Sequence, residues 1–142
     1  MFSKEEAKKL RQQFWIFFGK RFPRKWILYN TKIREINLKF SFDTKEAFVS
    51  FDIETGDELI RQYYFERFES LKNIMKTDIS EELIFDPNYF LSNGKEISRI
   101  YMVLDNVNIH KQTDWPEVFG FFNENMSKFE AFWLEYADFI TA

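Results

Sequence analysis

Residues 36–53 read INLKFSFDTKEAFVSFDI, two runs in which every second side chain is apolar, separated by a polar interruption. Ile36, Leu38, Phe40 and Phe42 recur at intervals of two, and so do Ala47, Val49, Phe51 and Ile53. That period places each set on one side of an extended chain. Asp43 to Glu46 supply the turn, so the stretch predicts a β-hairpin with one buried face.

Outward from the hairpin, the period changes to that of helices. On the N-terminal side, Ser3 followed three residues later by Glu6 is a capping box, in which the serine oxygen accepts from a free backbone N–H and the glutamate reaches back. Ala7, Leu10, Phe14, Phe17, Phe18 and Phe22 follow at helical spacing. Trp15 and Ile16 widen the stripe until the last two turns are apolar nearly all round, which predicts burial on two sides. Gly19 and Pro23 end this helix near Arg21. On the C-terminal side, Ile60, Tyr64, Phe68, Leu71 and Met75 predict a second helix over 57–76. Two short apolar runs, 83–85 and 89–91, are broken by Asp86-Pro87 and lead to Asn93-Gly94, the pair suited to a tight turn with two positive φ angles; a strand over 96–107 returns. In NVNIHKQTDWPEVFGFF, residues 106–122, Asp114, Pro116 and Glu117 signal a helix start. Val118, Phe122, Met126, Phe129, Trp133, Tyr136 and Ile140 then form a long apolar seam.

The expectation is an α+β domain spanning residues 1–142: helix, β-hairpin, helix, β-hairpin, helix, with an antiparallel sheet of about four strands packed against the helices. Residues 49–71 and 102–132 share the order strand, polar loop, aromatic helix, and are weakly repeat-like. With 142 residues, nineteen phenylalanines and only four glycines, the composition suits one aromatic core without long linkers.

Composition also narrows the chemistry. No segment reaches the roughly 18 uncharged apolar residues of a membrane span, and the start lacks an apolar leader, so the expected location is cytoplasmic, with no membrane partner. No cysteine means no thiol nucleophile or cysteine zinc site, and a single histidine, His110, makes a histidine metal site unpromising. His110 lies in the loop before the last helix and is expected to be structural or solvated. There is no Gly-x-Ser-x-Gly elbow and no phosphate-binding glycine loop. No catalytic residue, metal or cofactor is assigned on these grounds.

Charge is distributed unevenly. Residues 1–42 carry eleven Lys and Arg against three Glu, and the remainder nine against twenty acids. Within 19–34, GKRFPRKWILYNTKIR, the cations Lys20, Arg21, Arg24, Lys25, Lys32 and Arg34 are interleaved with Phe22, Trp26 and Tyr29, and there is no acid. Cations to neutralise phosphates and a ring to stack on a base are what single-strand binders use, so these cations and Trp26 form the candidate nucleic-acid surface. The plainer alternative turns the rings to the core and the cations to water or to the acidic remainder. A second reading, from another class, is a metal-dependent phosphodiesterase using Asp43, Asp52 and Glu54 around the first hairpin. A third is a structural homodimer, with Phe119, Phe121, Phe132 and Phe139 flanking the last seam as contact surface.

RQQFWIFFGKRF near the start, FERFESLK in the middle and ISRIYMVLDNVNIHKQTDWPEVFGFF leading to FEAFWLEY resemble DUF4268, a bacterial family of unknown function. The most specific part is the order Arg99-Ile100-Tyr101, Val107-Asn108-Ile109, Asp114-Trp115-Pro116. The resemblance covers nearly the whole chain and implies the short stand-alone form. Longer members of that family look like domains attached to restriction-nuclease-like regions, so the resemblance implies a partner that is a nucleic acid or a nucleic-acid-processing protein. It brings no catalytic residues with it.

Overall fold

A computed structural model describes residues 2–142. The first helix, α1 (Lys4–Arg21), starts as its sequence dictates: Ser3 Oγ accepts from the Glu6 N–H, and the Glu6 carboxylate accepts from the Ser3 N–H. Strands β1 (Ile36–Phe42) and β2 (Glu46–Ile53) pair antiparallel, with Ile36 opposite Ile53 and Phe42 opposite Ala47. Asp43 holds their turn, its carboxylate accepting from the N–H groups of Lys45 and Glu46.

The predicted second helix is two helices. Asp57 caps α2 (Glu58–Ser70), and α3 (Lys72–Asp78) follows after a break at Leu71, where φ is −101° and ψ 15°. The Leu71 N–H bonds to the Phe68 carbonyl, so the helix tightens there before restarting. Strands β3 (Ile84–Phe90) and β4 (Glu96–Asp105) pair with a register shift between Asp86 and Tyr89, around Pro87, which has no N–H for the ladder. Their turn differs from the tight Asn-Gly form. The Leu91 N–H bonds to the Lys95 carbonyl, and Gly94 alone takes a positive φ, +86°. The loop is therefore three residues long, closed by a left-handed glycine, while the Asn93 side chain accepts from the Lys95 N–H.

The last helix, α4 (Trp115–Thr141), follows a 3-10 turn at Gln112–Asp114. Asp114 makes no cap bond; its carboxylate accepts from the Asn108 N–H. Trp115 is buried and donates its indole N–H to the Ile109 carbonyl at 2.8 Å. Asp-Trp-Pro-Glu thus pins the preceding loop as well as starting a helix.

The sheet order is β1-β2-β4-β3, antiparallel throughout. Two hairpins therefore meet through β2 and β4, an arrangement that suits two hairpin-helix units side by side. The helices pack on one face. Leu38, Val49, Phe51, Ile53 and Ile100 of that face join Phe14, Phe18, Phe68, Phe122 and Phe129 in a single core. Phe51 sits at its centre, with the rings of Phe68 and Phe129 each 5.0 Å away. Helix α1 buries only Phe14 and Phe18; Trp15, Ile16 and Phe17 are 38 to 53% exposed. The expected two-sided burial is not found, because the sheet and α4 cover one flank and no other element covers the opposite one. Among the described residues no helix is long and apolar enough to cross a membrane.

Candidate functional site

The basic segment forms the end of α1 and the irregular crossing from α1 to β1. Glu130, buried on α4, fastens the crossing: its carboxylate accepts from the Arg24 guanidinium and from the Ile27 N–H. Arg24 also stacks over Trp26, 4.0 Å from its ring centroid, and Trp26 lies nearly parallel to Phe18. Arg24 and Trp26 are thus anchors of the loop, and the freely presented ring is Tyr29, 68% exposed. Thr31 Oγ1 donates to the Ile36 carbonyl at 2.6 Å, and the Leu38 N–H donates to the Leu28 carbonyl at 3.1 Å, strapping the loop along the edge of β1. Leu28 and Lys32 hold positive φ angles of 46° and 70°, a conformation that costs an L-residue about 1–2 kcal/mol and persists only where the surroundings impose it.

Lys20, Arg21, Lys25, Lys32 and Arg34 are all exposed, and none has an ion-pair partner among the described residues. The same holds for Lys4, Lys8, Lys9 and Arg11 on α1. Of the eleven cations in residues 1–42, only Arg24 and Lys39 are paired among the described residues, which leaves nine facing water.

The sheet face away from the helices carries the second polar cluster. Asp52 is fully buried there. Arg99, directly opposite on β4, donates to both its carboxylate oxygens at 2.7 Å, and Ser50 donates to one of them at 2.8 Å. The Arg99 guanidinium lies between the rings of Phe48 and Tyr89, at 4.6 and 4.2 Å. Burial acts to lower the pKa of Arg99, but the hydrogen bond and charge of Asp52 outweigh it and raise it. Next to this pair, Lys39 contacts Asp52 at 3.6 Å and Glu54 at 2.5 Å, and Lys95 reaches Glu54 at 3.2 Å.

Asp43, Asp52 and Glu54 do not converge. Asp52 lies opposite Asn37, six residues along the strand from Asp43, a separation of about 20 Å. The Asp43 carboxylate is taken up by its turn, and the other two by cations. No group of three or more ligating side chains suited to a metal exists among the described residues.

The four seam phenylalanines are dispersed. Phe132 is buried beside Phe51 and Phe68; Phe119 is half-buried against Phe14 and Phe18 of α1; Phe121 is half-buried; Phe139, 42% exposed, lies under the Arg67 guanidinium at 4.2 Å. Of these four, Phe119 is the one that packs against α1. His110 is half-buried against Phe2, with its Nε2 buried and unpartnered.

These features define a helix-backed, four-stranded antiparallel α+β domain with a clamped basic loop along one sheet edge. The chain belongs to the DUF4268 family, a domain of unknown function, whose sequence pattern matches residues 10–137. No curated protein and no solved structure matches it.

Glu130 is the residue that sequence reasoning passes over, and Tyr29 is named among the interleaved rings while Trp26 is chosen for the surface. Glu130 had a signal: Met126, Phe129 and Trp133 share its helical face, so it is an acid within an apolar seam. The Asp52–Arg99 pair had none, because it depends on the pairing of two strands distant in sequence.

Proposed function

We propose that this chain is a non-catalytic binding module that holds the phosphate backbone of a nucleic acid on the surface of α1 and the loop leading to β1. One observation carries the reading: nine of the eleven cations in residues 1–42 are exposed and have no ion-pair partner among the described residues, although the rest of the chain has acids in excess. Charges that served only to balance the acidic part would be expected to meet it. Glu130 fixes the loop and thereby orders its cations before any ligand arrives, which lowers the entropic cost of binding.

The test is fluorescence anisotropy of labelled single- and double-stranded DNA and RNA. If Lys20, Arg21, Lys25, Lys32 and Arg34 neutralise one phosphate each, the log–log salt slope on a single strand is about −3.5, and affinity falls about a hundredfold between about 50 and about 200 mM salt. Charge reversal at Lys20, Arg21, Lys25 and Lys32 should abolish that dependence. Absence of binding at low salt would refute the proposal, and magnesium-dependent cleavage would show a phosphodiesterase instead.

A further inference from the structure

We propose that the cleft between Trp15 and Tyr29 accepts one unpaired base of a single-stranded nucleic acid, at the end of a positive track formed by Lys4, Lys8 and Arg11. This rests on the nucleic-acid reading above and adds the kind of strand and the place where its bases are held. The cleft, about 220 Å³, is lined by Trp15, Leu28, Tyr29, Leu38, Lys39 and Phe40. Its walls are apolar and aromatic, and among the described residues its one charged group is a lysine and no carboxylate lines it.

The Trp15 ring is packed, and the backbone that carries Tyr29 is fastened. The Trp15 indole lies parallel to Phe122, 5.8 Å away at an interplanar angle of 11°, so the core backs one of its faces while the residue keeps 38% exposure. Tyr29 follows Leu28, whose left-handed backbone is fastened to β1 through the Leu38 N–H. Lys39 Nζ stands 5.7 Å from the Tyr29 ring centroid and is itself held by Glu54 and Asp52. Glu54 and Asp52 thus position the cation at the mouth of the cleft.

The approach is positive and open. Lys4, Lys8, Arg11 and Trp15 are spaced four, three and four residues apart, which aligns them on one face of α1. The three cations are exposed and unpaired among the described residues. One turn beyond Trp15 comes Gly19, which adds no side chain to that face of the helix. A duplex keeps its bases stacked and cannot fill such a cleft, whereas a single strand can lay its backbone along the cations and stack a base at their end.

The experiment compares a labelled single strand, a strand of the same length with abasic positions, and the matching duplex, in DNA and RNA forms. The proteins are the full chain, Tyr29→Ala and Trp15→Phe. The base-bearing single strand should bind about tenfold more tightly than the abasic strand or the duplex. Tyr29→Ala should erase that preference and leave the salt slope unchanged. Binding should quench tryptophan emission in the full chain, and Trp15→Phe should lose that quenching while keeping its fold by circular dichroism. Equal binding of base-bearing and abasic strands, or an undiminished preference in Tyr29→Ala, overturns the base cleft and leaves the phosphate surface standing. Absence of binding to every strand removes both.

Discussion

Asp52 lies on the sheet face that no helix covers, yet it has no solvent exposure, because Arg99 and its flanking rings roof it. Removing the charge from one member of such a pair leaves the other buried and uncompensated. Asp52→Asn should therefore lower stability by about 3–5 kcal/mol in urea denaturation, and adding Arg99→Met should recover part of the loss. Glu54 beside it makes a pH prediction. Burial acts to raise its carboxyl, but the hydrogen bond and charge of Lys39, then those of Lys95, outweigh burial and hold it below the usual range. A carboxyl whose folded-state pKa is depressed contributes fully above its unfolded value near 4.5 and loses the contribution as pH falls through the depressed one. Thermal unfolding of Glu54→Gln should accordingly show a lower Tm than the parent at neutral pH, with the gap closing below about pH 4.5. At this scale the sequence disclosed which side chains were cations and rings, but not their partners. Trp26 and Tyr29 are near neighbours in one basic run, and only the packing of Phe18 and Arg24 on Trp26 decides which of them faces water.

Helix α1 is attached to the rest of the chain chiefly through Phe14 and Phe18. Phe14→Ala should cost about 3–5 kcal/mol, and Ile16→Ser, on the uncovered side, less than about 0.5 kcal/mol, both measured by denaturant titration. In the second hairpin, Gly94→Ala places a side chain on a left-handed backbone and should cost about 1–2 kcal/mol by the same measurement. Elements governed by local chemistry were legible: the capping box set the start of α1, alternation set β1 and β2, and Asp43 set their turn. The break at Leu71 was not, since no glycine or proline marks it. Asn93-Gly94 correctly announced a turn but not its length, because strand register, fixed by the pairing of β3 with β4, selects the loop.

Across the whole molecule, charge and packing are divided differently. The acidic and basic parts of the sequence share one core, yet Arg24–Glu130 is the only ion pair joining the first 42 residues to α4 among the described residues. A shared core of this kind should unfold in one transition, with tryptophan fluorescence and far-ultraviolet circular dichroism giving the same midpoint; separate midpoints would divide the chain into independent units. The sheet order has a kinetic consequence. Its central pair joins Ile53 to Ser98 and Glu46 to Asp105, spans of 45 and 59 residues, so the loop between them must close before that pairing stabilises anything. On the ribosome, the first hairpin emerges long before β4 and α4, with the Phe51 side of its sheet uncovered. Early synthesis is therefore the interval in which this apolar face is expected to be most open to aggregation.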